Sequence, residues 1–298
     1  MRLYRLYFDT PLKLKPEIEG KFILKPDMLP KSDTIFAAVA NVIAEIDGVE
    51  TLKEFCKGNP RFSSAFPFHK DKLFFPKPLK PLAEIERDKN LHKAWKKKIW
   101  IEHELLKRPK AVLDVINSEE RKSEFFIAKE EIPKFYNVNE VVRNAKHRIN
   151  EQTQIFSVYT LSFTKNSGLF FLYSGEVNID EAVKILGEGG LGGGKTVGYG
   201  KFIAKGEDYS WEISGKWNLL LSLCLPKRSE VERLRESYYS LIEREGWTNS
   251  SRKRKVRVLT EGSVIPRKIE GRILEEHVDG VKIYRNYLAL TLPMGWWD

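Results

Sequence analysis

Leu186 to Phe202 reads LGEGGLGGGKTVGYGKF, and eight of the chain's 20 glycines fall between Gly187 and Gly200. Such a run neither continues a helix nor holds a strand, since glycine inside either costs roughly 0.5–1 kcal/mol relative to alanine. It forces a turn whose backbone lies open to close approach. Gly189 to Thr196 (GGLGGGKT) also satisfies the P-loop signature, so nucleotide binding is the first function to weigh. A P-loop needs a strand before its glycines and a helix after them, so that the helix N-terminus faces the phosphates. Here the order is reversed. IDEAVKIL (Ile179 to Leu186) reads as a helix leading in, and VGYGKFIAKG as a strand leading out, with Gly198 and Gly200 opposing any helix. No apolar strand ending in a magnesium-binding Asp stands out either, so nucleotide hydrolysis is set aside. What remains is a loop whose amides can approach phosphates or sugars, with Lys195 adding charge and Tyr199 a ring and a hydroxyl.

Charge points the same way. Lys and Arg number 51 against 41 Asp and Glu, a formal net charge of +10. Clustered cations gain free energy by releasing counterions from a polyanion, although a merely basic surface has the same composition. The 298 residues, 42% hydrophobic and 12% aromatic, exclude a disordered chain and allow two modest domains or one large one. Cys56 and Cys224 stand far apart with no CxxC, which excludes a cysteine zinc cluster and argues against a disulfide scaffold. MRLYRLYFDTPLKLK has no apolar core of a signal peptide, and no run approaches the roughly 18 apolar residues of a membrane span. A cytoplasmic protein without membrane contact is expected.

Along the chain, Arg2 to Asp9 alternates as a strand. Lys31 to Ile46 is the clearest helix, with Ser32 or Asp33 placed to cap it and Ile35, Phe36, Val39, Val42, Ile43 and Ile46 as its apolar stripe. Arg61 to Leu82 reads as two short strands and a proline-rich exit. Residues from about Ala83 to Asn150 are charged and irregular, with short helices near Leu91 to Trp95 and Glu102 to Lys107. Thr153 to Phe163 and Gly168 to Val177 look like a hairpin around TKNS. After the glycine loop come a strand (Lys216 to Pro226), a helix (Glu230 to Glu245) and strands near Lys255 to Ile269 and Val281 to Leu292. This order predicts an α+β fold of two tandem ferredoxin-like (RRM-like) units. The first spans residues 1–207 with an insertion at about 83–150, the second 208–298, and the boundary falls near Glu207 to Gly215.

A helix followed by GGLGGGKTVGYGKF resembles the glycine-rich loop of the RAMP superfamily, the repeat-associated RNA-binding proteins of CRISPR systems. LPKSDTIFAAV resembles the helix start of one branch. FFPKPLKPL followed by KKKIWIEHELLKR resembles that branch's proline-rich segment and basic run, and KHRINEQTQ, TEGSVIPRK and YRNYLALTLP fit it too. Together these are similar to the fourth Csm subunit of type III-A interference complexes, over nearly the whole chain. Asn150, Glu151 and Gln152 depart from the pattern, standing where relatives often carry an Asp and an Arg.

The resemblance implies a non-catalytic subunit with no cofactor or metal. It would hold the repeat-derived 5′ handle of the guide RNA (crRNA) and dock the large polymerase-like (Palm-domain) subunit and the backbone RAMP subunit. Single-stranded RNA is gripped by a basic groove, open backbone amides and aromatic stacking. The residues expected to supply these are Lys31 and Ser32 at the helix start, His147 and Arg148, and Gly190, Gly192, Gly193, Gly194, Lys195, Thr196 and Tyr199 in the loop. Arg252 and Arg254 join them, sharing one face of an expected strand while Lys253 and Lys255 share the other. Lys96, Lys97 and Lys98 form a second basic run, equally readable as solvated surface. The resemblance also implies a thumb-like hairpin within the insertion, for which Lys134 to Gln154 has the polar character, with Arg143, Lys146, His147 and Arg148 in one run. Three alternatives stay open: a metal-free repeat endoribonuclease using His147, a structural adaptor without RNA contact, and the equivalent subunit of a type III-B complex. HELLK at His103 lacks the second His of a zinc protease motif.

Overall fold

The computed structural model describes residues 1–14, 23–118, 123–146, 153–248 and 251–298. Strand β1 (Arg2–Phe8) buries Leu3, Tyr4 and Leu6, so both its faces are covered at the start, and β2 (Leu12–Lys13) follows. Helix α1 (Ser32–Ile46) buries Ile35, Phe36, Val39, Val42 and Ile43, each worth about 1.5–3 kcal/mol of transfer free energy. Ile46, expected to complete the stripe, is exposed at the helix end. Next come α2 (Gly48–Lys57), β3 (Arg61–Phe62), β4 (Phe66–His69) and β5 (Lys72–Pro76), which stops where the prolines begin.

The charged segment after it is more core than arm. Its elements are α3 (Ala83–Arg87), α4 (Lys89–Lys97), β6 (Trp100–Glu102), α5 (His103–Leu106), α6 (Pro109–Asn117), β7 (Phe126–Ile127) and β8 (Tyr136–Lys146). Ile85, Trp95, Trp100, Leu105, Leu106 and Val112 are buried there, and β6 and β7 extend the main sheet. Only β8 leaves it, pairing antiparallel with β9 (Thr153–Phe163) from Tyr136↔Phe163 to Lys146↔Thr153. Strand β10 (Ser167–Ser174) follows β9 in sequence, yet the two belong to different sheets. The expected hairpin around TKNS is therefore corrected. Apart from Ser174, β10 is buried along its whole length, and a strand covered on both faces belongs in a sheet centre, between β1 and β4.

Helix α7 (Asp180–Gly189) and β11 (Phe202–Asp208) follow. The sheet order is β11-β1-β10-β4-β5-β6-β7, and β11, β1, β10 and β4 pair antiparallel throughout. Helix α1 bridges β1 and β4, and α7 bridges β10 and β11.

The C-terminal part is built from β12 (Trp217–Leu220), β13 (Leu241–Arg244), β14 (Trp247–Thr248), β15 (Ser251–Arg252), β16 (Val256–Leu259), β17 (Val264–Ile265), β18 (Gly271–Val278), β19 (Val281–Leu288) and β20 (Thr291–Met294). The helix expected over Glu230 to Glu245 is absent: a 3₁₀ turn spans Arg228–Leu234, and the chain then extends into β13. Glu230 is buried, and its carboxylate accepts from the amides of Lys227, Glu270 and Gly271. Beyond it Tyr238 bridges to Val264 and β13 pairs with β16. Strand partners thus outcompete helix propensity, and Val231, Tyr239 and Leu241 stay exposed with no core to cover. Among the described residues no α-helix follows Gly189. The architecture is mixed α+β, and Leu219, Leu221, Leu290 and Leu292 of the second part share one apolar cluster with the first.

Candidate nucleic-acid interface

The glycine run forms a closed-necked loop, with helix α7 entering and strand β11 leaving, the reverse of a P-loop. At the neck, Leu191 N–H donates to Gly200 O (2.8 Å) and Gly200 N–H to Pro11 O (3.0 Å). Gly200 sits at φ +75°, where an added Cβ would lie 2.1 Å from Leu191 O, so only glycine closes the neck. At the tip, Val197 and Tyr199 N–H both donate to Gly194 O, and Lys195–Val197 make a 3₁₀ turn that exposes Thr196. The outgoing strand therefore begins at Phe202, later than Val197 as expected. Gly193 forms a bridge with Lys13 of β2 and has no unusual φ; the nearest atom to an added Cβ is Lys13 Cδ at 3.5 Å.

Arg143 reaches this loop from β8. Its Nη2 donates to the Tyr199 hydroxyl (2.7 Å), and its guanidinium lies 5.3 Å from the ring centroid. Beside the loop opens a cavity of about 490 Å³, within the range that holds small ligands. Its walls are apolar, from Leu12, Leu14, Met28, Leu29, Ala37 and Ala38, and Gly192 and Gly193 line one side. Lys13 and Lys195 bring positive charge to its lining and Asp27 negative, while Lys31 and Arg244 line it already paired with Glu261 and Asp33. Lys13 and Lys195 form no ion pair among the described residues. A backbone-lined edge, an apolar chamber and uncompensated ammonium groups suit a nucleotide: base inside, phosphate at the rim.

The start of α1 is built differently from expectation. Neither Ser32 nor Asp33 caps the helix; Lys31 occupies the cap position and makes no side-chain cap bond. Ser32 N–H instead donates to Ser64 Oγ (3.0 Å), and Ser32 Oγ accepts from Leu223 N–H (2.9 Å). Asp33 holds Arg244 of β13 in a bidentate pair at 2.9 and 2.7 Å. Lys31 is buried, its Nζ 2.9 Å from Glu261 Oε2, while Ser64 Oγ donates to the other carboxylate oxygen. These bonds tie the helix start to the C-terminal strands, and only Arg244 and Lys31 also face the cavity. A single sequence offers no signal for Arg244 or Glu261, because their partners lie more than 200 positions away.

Arg252 is exposed on β15, its guanidinium 4.9 Å from the centroid of the exposed Trp247 ring. Arg252 pairs with Trp247 across the β14–β15 ladder, and neither residue lines the cavity. Arg254 is exposed too. The alternation expected through Lys255 breaks, because Lys253 to Lys255 lie outside any strand: burial lowers the Lys253 pKa, while Lys255 pairs with Glu243 at 2.9 Å. Lys98 is likewise structural, donating to the carbonyls of Ser123 and Phe126. His147 and Arg148 lie outside the described residues. Burial pushes both His69 and His103 below the usual histidine range, and His69 is tied to Ser167 Oγ at 2.8 Å. Among the described residues no group of three His, Cys, Asp or Glu is placed to hold a metal, and no helix is long and apolar enough to cross a membrane.

A glycine loop between α7 and an edge strand of this sheet, beside a basic cavity, is the arrangement of the repeat-associated class to which the sequence points. Comparison with known proteins bears out that class. Residues 214–294 match the family model described as the CRISPR Csm4 C-terminal domain. The CRISPR system Cms protein Csm4 of Thermococcus onnurineus (strain NA1) is 29% identical over 282 residues, covering 90% of this chain and 91% of the relative. The crystal structure of a Csm3-Csm4 subcomplex of the type III-A CRISPR-Cas interference complex aligns with a TM-score of 0.65 at 21% identity, over 99% of this chain and 100% of the other. That of a Csm1-Csm4 cassette with pppApA aligns at 0.62 and 19%, over 98% and 97%. The chain is thus similar to Csm4 proteins over nearly its whole length, and its C-terminal part matches the Csm4 family model.

Proposed function

We propose that this chain is the non-catalytic subunit of a type III-A complex that holds the 5′ handle of the crRNA and docks the large polymerase-like subunit and the backbone RAMP subunit. The observation that carries the RNA part is the loop itself: Gly193 at the mouth of an apolar cavity, with Lys13, Lys195 and the Arg143–Tyr199 pair around it. The docking part is supported by relatives of similar fold solved with Csm1 and with Csm3. Residues 1–207 are read as a ferredoxin-like unit, since its first, second, third and fourth strands (β1, β4, β10, β11) lie in the order 4-1-3-2. Residues 208–298 are read as a second such unit whose helices have been lost to strands and a 3₁₀ turn. Gly190, Gly192, Gly194, Thr196, Arg252 and Arg254 extend the handle surface. Lys31 and Ser32 serve it from behind, by fixing α1.

Mixing the purified chain with labelled repeat RNA tests this reading. Retention without cleavage is expected, and Gly193→Val should weaken it at least tenfold while leaving the melting temperature unchanged. Cleavage by the chain alone would instead establish the endoribonuclease reading, and absence of both binding and cleavage the adaptor. Co-purification with type III-B subunits would move the assignment to that complex.

A further inference from the structure

Helix α4 carries a feature that handle binding does not use. Its nine residues, KNLHKAWKK, are capped by Asp88, whose carboxylate accepts from the amides of Asn90 and Leu91. At 100° per residue, Lys89, Lys93, Lys96 and Lys97 fall within an arc of about 100°, opposite Leu91 and the buried Trp95. All four are exposed, and none forms an ion pair among the described residues. Glu84 and Glu86 of the preceding α3 do not neutralise them either. Some exposed lysines elsewhere, Lys184, Lys255 and Lys282 among them, have a carboxylate within 3 Å. Four adjacent ammonium groups with no carboxylate in ion-pair contact among the described residues repel one another, and a polyanion lying along the stripe relieves that repulsion.

The helix is rigidly mounted. Lys77 donates to Trp95 O at 2.7 Å and lies over the Trp95 ring, and Trp95 also packs near Trp296. The stripe is also remote from the glycine loop. Helix α4 runs into β6, while the loop feeds β11 at the other edge of the sheet, five strand spacings or roughly 25 Å away.

We propose that the exposed face of α4 is a second, sequence-independent contact for the phosphate backbone of single-stranded RNA, separate from the handle site. Lysines three and four apart project about 5–6 Å from one another, so an extended strand meets a cation at nearly every step. Lysine also suits such a contact, because a flexible point charge grips phosphate without demanding a base or a fixed geometry.

The test uses the full chain and a single-stranded oligouridylate of about 20 nucleotides carrying no repeat sequence. Its binding is followed from about 0.05 to 0.3 M salt. Each phosphate contact contributes roughly 0.7 to the slope of log K against log salt, so the variant K89Q/K93Q/K96Q/K97Q should flatten the slope by about 2.8 and weaken binding at least tenfold. K96Q/K97Q should remove about half of that slope. All four side chains are solvent-exposed and repel one another, so melting temperatures should be no lower than that of the native chain. The loss of slope on K89Q/K93Q/K96Q/K97Q should be the same in the Gly193→Val background, which separates this contact from the handle reading. An unchanged slope in the quadruple variant overturns the proposal, as does loss of binding only to an acidic protein of the assembly, which would make the stripe a protein-docking face.

Discussion

Lys31 decides between two roles that are easily confused: phosphate contact and structural tie. Its side chain is 7% exposed and that of Glu261 1%, with Nζ 2.9 Å from Oε2. Removing one partner of such a pair strands a buried charge and costs about 3–5 kcal/mol, whereas replacing both by apolar groups of similar volume is often near neutral. Lys31→Met is therefore expected to lose about 3–5 kcal/mol in urea unfolding, and Lys31→Met/Glu261→Met to regain more than half of it. Ser64 Oγ, which donates to the same carboxylate, keeps the recovery below complete. Handle affinity measured well below the unfolding midpoint should keep its salt slope in Lys31→Met, because the ammonium is already neutralised. A loss below about 1 kcal/mol together with a slope reduced by roughly 0.7 would refute this reasoning and make Lys31 a phosphate ligand.

Burial lowers the Lys77 pKa to about 8, so folding opposes its protonation. Below pH 8 the folded chain carries the full penalty, and between about 8 and 10.5 the unfolded state binds the extra proton, so stability rises with pH. The stability of Lys77→Met relative to the native chain should therefore fall as pH climbs through that window; a pH-independent difference contradicts it. Gly200→Ala should cost more than about 1 kcal/mol, since it combines positive φ with a clash at Leu191 O, while Gly193→Ala should fall within about 0.5 kcal/mol of neutral in thermal melts. Arg143→Met should cost about 1–2 kcal/mol, the scale of a half-buried cation–π pair, yet weaken handle RNA several-fold in filter binding.

The loop was legible because its constraint is local. Eight glycines between a helical and a strand pattern state their turn without help from distant residues. Helix α1 was legible for the same reason, its apolar stripe matching the face it buries, and β4 and β5 were legible as short apolar runs ended by turn and proline residues. What the sequence hid was set by distant partners. EVERLRESYYSLIERE has helical spacing, yet Glu230 is drawn into the amides of Glu270 and Gly271 and Leu241–Arg244 into β16. The pairing of β9 with β8 instead of its neighbour β10 follows from the burial of β10 on both faces, which local alternation does not encode. At the candidate site, Gly193, Lys195 and Tyr199 were readable from the motif. Arg244, Lys13 and the cavity they border exist only once β2, α1 and β13 converge.

The central claim is that the loop beside this cavity holds the guide RNA's repeat-derived end. Ultraviolet crosslinking of the native complex, with mass spectrometry of the peptide and sequencing of the attached RNA, tests it most directly. The account predicts crosslinks on the peptide containing Leu191 to Tyr199, joined to the repeat-derived 5′ nucleotides. Crosslinks from that peptide only to spacer-derived RNA, or none while other surfaces of the chain crosslink to the handle, would contradict it.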